Sequence, residues 1–265
     1  INSGYSLFYP RWVISAVRYR RRFLYKPYGN FRFYFFDDYT EKMTTYTDKW
    51  KELGLSFDAI ATGFLGSEAQ IGIVMEIVQK LKAEKTFVVV DPVMGDGGEI
   101  YATYTPELCE AMGTLVDGAD VLMPNLTEAS MLTGRTYPGQ NIDNAEVNGI
   151  IDALLALGAK NVVLKGVDRQ DGIIRNYVAS ATSGASGKQE IAHDKLPFMT
   201  HGTGDAFASA LCGAVMAGRP LAESAHIAGE FVRHAMESTQ FQPNHTERGV
   251  SFELNLDELT RLVRR

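Results

Sequence analysis

Two cysteines, Cys109 and Cys212, are all that this 265-residue chain contains. Both fall in segments of helical periodicity. A disulfide framework is therefore excluded as the organising principle, and a reducing, cytoplasmic setting is favoured. Cys212 reads as a small packing residue. No apolar run approaches the ~18 residues of a membrane span, so no membrane association is expected. Histidine is scarce. His193, His201, His226, His234 and His245 show no spacing with Cys or acids that would suit a metal. An excess of positive charge is missing too: the net charge is −6 and the pI about 5.4, which gives nucleic-acid binding no overall electrostatic support. There is no internal repeat and no low-complexity linker. A Walker phosphate loop is also absent. Residues 183–188, Ser-Gly-Ala-Ser-Gly-Lys, look like one, but Thr182 stands at the earlier glycine position and Gln189 follows the lysine. A strand pattern comes next, so this stretch reads as a hairpin turn.

What is present is a mixed chain with 45% hydrophobic content, a size and composition that suit a single domain spanning residues 1–265. Residues 1–36 stand apart. They hold seven Arg or Lys, no Asp or Glu, and thirteen aromatics, so the remainder carries the whole negative excess. Within them only 13–17 suggests a helix, and a first strand is not evident. From Asp37 the pattern is orderly. Helices are expected over 40–53, 68–82, 106–116, 127–132, 144–157, 203–216, 222–238 and 256–264. Strands are expected over 57–62, 87–91, 121–123 and 161–164, with an antiparallel pair at 173–179 and 189–193. Alternating strand and helix predicts an α/β fold, a doubly wound, mostly parallel sheet covered on both faces, with a small antiparallel hairpin.

Three motifs carry chemistry. His201-Gly202-Thr203-Gly204-Asp205 opens a small-residue helix. A helix start offers free N–H groups and a positive dipole end, and glycines let an anion approach. An aspartate there repels an anion, unless it takes a proton from a hydroxyl that attacks phosphorus. The plainer reading is a helix cap, since Asp and Thr cap well. Asp91-Pro92-Val93-Met94-Gly95-Asp96 follows the apolar run 87–90 and brings two carboxylates to a strand's carboxyl end, where open α/β sheets bind ligands. Asn125 and Glu128 follow another short apolar run at a helix start. Carboxylates and an amide are hard oxygen ligands suited to Mg²⁺ and its waters. Turn formation by the aspartates and a capping box for Asn125–Glu128 are the structural alternatives.

Together these motifs resemble the ribokinase-like small-molecule kinases, and most closely the vitamin B6 kinases. The aspartate-proline-valine-x-glycine-aspartate pattern is 91–96, asparagine-x-x-glutamate is 125–128, and glycine-x-glycine-aspartate is 202–205. Thr62-Gly63-Phe64-Leu65-Gly66-Ser67 resembles the turn at which B6 kinases place an aromatic near the pyridine. The resemblance covers about residues 36–265. It implies ATP-dependent phosphorylation of the 5′-hydroxymethyl group of pyridoxal, pyridoxine or pyridoxamine. Asp205 would be the base, and the N–H groups of Gly202, Thr203 and Gly204 would hold the moving phosphoryl. Asp91, Asp96, Asn125 and Glu128 would arrange ATP and Mg²⁺, with the metal reached by Asp91, Asp96 and Glu128 through water. A monovalent cation is an open addition, and a homodimer is expected. Lys165, at a strand end, is read as a contact to ATP phosphate, against the alternative of a solvated lysine; some B6 kinases carry a hydroxyl residue there. Phe64, Ser3 and His201 are the substrate-side expectations. Two other readings stand beside this one: a hydroxymethylpyrimidine kinase, and a B6- or nucleotide-binding protein without catalysis.

Overall fold

The protein is described by a computed structural model that covers residues 38–183 and 187–264, together with the backbone of three short strands at 13–16, 22–23 and 34–35. The elements in chain order are β1 (Val13–Ala16), β2 (Arg22–Phe23), β3 (Tyr34–Phe35), α1 (Thr40–Glu52), β4 (Ala59–Thr62), α2 (Glu68–Leu81), β5 (Phe87–Val90), β6 (Gly95–Asp96), β7 (Glu99–Ile100), α3 (Pro106–Met112), β8 (Val121–Leu122), α4 (Leu126–Thr133), α5 (Asn144–Ala156), β9 (Asn161–Asp168), β10 (Ile173–Ser180), β11 (Gln189–Asp194), α6 (Thr203–Met216), α7 (Leu221–Thr239), α8 (His245–Arg248) and α9 (Leu256–Arg264). The main sheet runs β1-β4-β5-β8-β9-β10-β11. Neighbours from β1 to β9 pair in parallel, and β9-β10-β11 pair antiparallel.

The apolar strand runs work as two-sided core. Val88 and Val90 of β5 pack with α2, α3, α4 and α5, while Val89 between them faces α6, α7 and α9. Val162, Leu164 and Val163 of β9 divide in the same way. The period-2 alternation of a pleated strand sends neighbours to opposite faces, so a continuous valine run is what a sheet covered on both faces requires. Helix α1 closes a smaller cluster, where Met43 and Trp50 pack on Phe57, Ile60, Ile77 and Leu81.

The structure departs from the sequence expectations at the N-terminus. Of the expected helix 13–17, the described part is a strand: Val13–Ala16 is β1, paired in parallel with β4, Val13 opposite Ala59. Two β-branched residues at the start of the segment suit an extended chain, and an otherwise open edge of β4 gives it a partner. A strand is thus present where none was evident. The basic run 18–21 lies outside the described residues. Elsewhere β9 continues past Leu164 to Asp168, because β10 folds back on it. The strands that flank 183–188 pair antiparallel as expected, with Ile173 opposite Asp194. Lys188 at their foot pairs with Asp152 and donates to the Asn148 carbonyl, far in role from a phosphate loop. A second hairpin, β6-β7, was not foreseen.

Candidate active site

The parallel strands β4, β5 and β8 end side by side, and each end runs into polar residues. Asp91 comes directly after β5. It is 2% exposed, and its N–H reaches the Thr62 carbonyl at the end of β4 (3.4 Å). After β8, the chain turns through Pro124 into α4, whose cap is Asn125. The Asn125 side chain accepts the Glu128 N–H (2.9 Å), and Glu128 accepts the Asn125 N–H in return (2.7 Å). The capping box is therefore real, but it does not exhaust either residue. The Asn125 amide donates to the Gly95 carbonyl (2.8 Å), and Glu128 also takes the Met94 N–H (3.3 Å). The two acidic motifs are thus bonded to each other, and β6-β7 is held against α4. Gly95 is required there, since a Cβ would meet the Glu99 carbonyl oxygen at 2.2 Å.

Lys165 unites these groups. It stands on β9 beside Asn125, with which it forms a parallel bridge, and its N–H reaches the Pro124 carbonyl (2.9 Å). Its ammonium donates to Asp91 and to the Met123 carbonyl (2.8 Å), and lies 3.6 Å from Glu128. Burial by itself would lower this ammonium, but Asp91 and Glu128 outweigh it and hold the group above the usual lysine range. Glu128 is moved up from the usual carboxyl range by burial; Asp91 adds to the shift and Lys165 opposes it. Two buried carboxyl groups lie beside one ammonium, and burial favours the neutral form of Glu128.

The opposite wall is the start of α6. Gly202 is its cap, with φ +83°, a conformation that favours glycine, and no side chain caps the helix. The capping alternative for Thr203 and Asp205 is therefore not realised. Ala206 is the first residue whose N–H returns to the Gly202 carbonyl (3.0 Å), so the N–H groups ahead of it have no acceptor within the helix. Asp205 faces solvent. The protein around it still raises its carboxyl by desolvation; the nearby Asp91 charge adds to this and Lys165 lowers it again. Asp205 thus lies within electrostatic reach of Asp91 and Lys165.

The remaining expected residues fall around this core in different ways. Asp96 is exposed and accepts the Gly97 N–H in its own turn (2.8 Å), away from direct contact with Lys165. Asp91, Asp96 and Glu128 do not converge on one point, and no group of three metal-ligating side chains occurs among the described residues. The carboxyl oxygens of Asp91, Glu128 and Asp205 are nevertheless hard donors of the kind that suits a divalent cation carried in with its waters. His201 is exposed, and its carbonyl, accepting the Val250 N–H (2.9 Å), ties the glycine turn to the chain before α9. Ser3 lies outside the described residues.

Phe64 is half-buried in the turn after β4. Tyr104, which the sequence did not single out, packs edge-on against it, with ring centroids 5.3 Å apart at 79°. The Tyr104 hydroxyl donates to the Leu65 carbonyl (2.7 Å) and accepts its N–H (3.2 Å). An aromatic just ahead of the Thr105 cap was the available signal, but nothing local points 39 residues back. Tyr101 was also missed. Burial, then the charges of Asp96 and Glu128, push its hydroxyl up to about 12.

Known proteins resemble this chain in sequence and in fold. A family model described as phosphomethylpyrimidine kinase matches residues 51–251. The hydroxymethylpyrimidine/phosphomethylpyrimidine kinase of Bacillus subtilis is 28% identical over 183 residues, 69% of this chain and 64% of that protein. The pyridoxal kinase of Sus scrofa is 31% identical over 170 residues, 58% of this chain and 51% of that protein. The chain thus spans between about half and two-thirds of the length of these relatives. Among solved structures, a Bacteroides thetaiotaomicron protein described as a candidate phosphomethylpyrimidine kinase, in a crystal form with pyridoxal, superposes with a TM-score of 0.79 at 29% identity, covering 87% of this chain and 80% of that one. Pyridoxal kinase from Lactobacillus plantarum gives 0.77 at 27% identity, covering 89% and 82%.

Proposed function

The chain belongs to the phosphomethylpyrimidine kinase family, and from that premise we propose that it transfers the terminal phosphoryl group of ATP to a hydroxymethyl group on a flat heteroaromatic ring, with a B6 vitamer as preferred acceptor. The observation that carries the transfer is Asp205, an acid at an open helix start within electrostatic reach of Asp91 and Lys165. In this reading Asp205 accepts the proton of the attacking hydroxyl. Its raised carboxyl makes it a better base than an ordinary aspartate, and a loose phosphoryl transition state asks for that proton only late. The N–H groups at Gly202, Thr203 and Gly204 steady the phosphoryl oxygens as charge shifts. Lys165 contacts nucleotide phosphate, and Asp91, Asp96, Asn125 and Glu128 position the nucleotide and its metal. Bound Mg²⁺ would supply charge neutralisation of the triphosphate. His201 stands at the rim, and Ser3 is assigned to the polar edge of the ring.

For the acceptor, the Phe64 turn supports a B6 vitamer. Its ring offers an aromatic wall, and stacking adds about 0.5–1.5 kcal/mol beyond burial. That biases the choice against sugars more than against another heteroaromatic ring. Hydroxymethylpyrimidine is the second reading, favoured by the family model and the Bacillus subtilis relative. The family reading also carries a homodimer and a cytoplasmic location, which light scattering and cell fractionation would check. The test of function is steady-state kcat/KM for pyridoxal, pyridoxine, pyridoxamine, hydroxymethylpyrimidine, ribose and adenosine at saturating Mg-ATP. The vitamers should lead. A hydroxymethylpyrimidine value above all three moves the preference to the pyrimidine, and no turnover of any acceptor favours a binding protein without catalysis.

A further inference from the structure

The Lys165 ammonium has two hydrogen-bond acceptors and a second carboxyl group close by. It donates to Asp91 and to the Met123 carbonyl (2.8 Å), and its third side faces Glu128 at 3.6 Å. The ammonium thus occupies the place between Asp91 and Glu128. Asp91 and Glu128 are each 2% exposed, and Glu128 is held further by the backbone N–H groups of Asn125 and Met94. The carboxylates are therefore fixed, while the lysine sits at the end of a flexible four-carbon stem. Glu128, at the longest distance, is the partner most easily surrendered. Asp205, on α6, lies within electrostatic reach of the same ammonium.

We propose that Lys165 is a tethered counter-ion that fills the place between Asp91 and Glu128 in the nucleotide-free protein and yields it to a divalent cation only when nucleotide phosphates draw the ammonium away. The proposal rests on the kinase reading for the identity of the nucleotide. Its physical content is a charge exchange. Without nucleotide, a free divalent ion meets a lysine already seated among its donors and is repelled. With nucleotide, the ammonium gains phosphate oxygens, the two carboxylates lose their counter-ion, and the metal enters with the phosphates. The site thereby refuses metal alone and accepts metal with nucleotide.

Mn²⁺ binding, followed by electron paramagnetic resonance on the full chain without turnover, tests this. In the absence of nucleotide, Lys165→Met should bind Mn²⁺ at least tenfold more tightly than the wild type, and saturating ADP should remove most of that difference. Equal Mn²⁺ affinities of the two proteins without ADP overturn the proposal. A variant that does not fold leaves a measurement on the wild type. The ¹⁵N-labelled Lys165 side-chain resonance should be unchanged by Mg²⁺ alone and should shift on adding ADP with Mg²⁺; a shift with Mg²⁺ alone, or none with both, overturns it. Failure of the kinase reading shows separately, as absent acceptor turnover with this exchange intact.

Discussion

The two walls of the cleft are built in opposite ways. The wall at the ends of β5, β8 and β9 is protein interior. Asp91, Met94 and Glu128 are buried, and Asn125, Glu128 and Lys165 are bonded to one another and to main-chain groups of Pro124, Met123 and Gly95. The wall at the start of α6 is open. His201, Gly202 and Asp205 are exposed, and no side chain caps the helix. Charge is held where the fold can over-determine it, and the group proposed to react is left where a substrate can reach it. The first wall should therefore answer to mutation in stability and the second in rate.

The largest effect expected is on the open wall. Asp205→Ala should lower kcat by about 10²–10⁴, the usual cost of a lost general base, with unfolding free energy within about 0.5 kcal/mol of wild type, as for a surface change. Steady-state kinetics and urea unfolding on one preparation measure both. On the closed wall, Glu128→Ala orphans two main-chain N–H groups and removes a cap, so about 3 kcal/mol of stability should go, read as a lower urea midpoint. A stable Glu128→Ala protein, or an unstable Asp205→Ala protein, would break the contrast. A smaller effect is expected between the walls. Tyr104→Phe removes the two hydrogen bonds between its hydroxyl and Leu65 in the Phe64 turn, costing about 1 kcal/mol. It should raise KM for the aromatic acceptor several-fold and leave KM for ATP unchanged.

The smallest effect sharpens the charge assignment. Asp205 must be ionised to act as base, and its carboxyl is raised, so the acid limb of kcat/KM should lie above the ordinary aspartate value of about 4. Lys165 lowers that carboxyl, so Lys165→Met should move the limb to still higher pH. A limb that stays in place would separate Lys165 from Asp205.

The contrast also explains what the sequence disclosed. The valine runs and helical stripes give both faces of the sheet, because period and burial are local properties. The three motifs stand out because glycine, proline and acid at strand ends are chemically unusual. What stayed hidden is non-local. Lys165 sits 74 residues from Asp91, and only the packing of β9 beside β8 brings them together. Which residue caps the helix at 202–205 depends on backbone conformation, and the left-handed Gly202 takes that place. β1 was misjudged because so short a strand takes its identity from its neighbour β4.

Phosphorus-31 NMR of the purified protein with Mg-ATP and pyridoxine tests the central claim most directly. The account expects ADP and, in equal amount, a phosphomonoester whose resonance is coupled to the two protons of a methylene group, absent with an equally folded Asp205→Ala protein. ADP accompanied only by inorganic phosphate, or the same ester formed by Asp205→Ala at the wild-type rate, would contradict it.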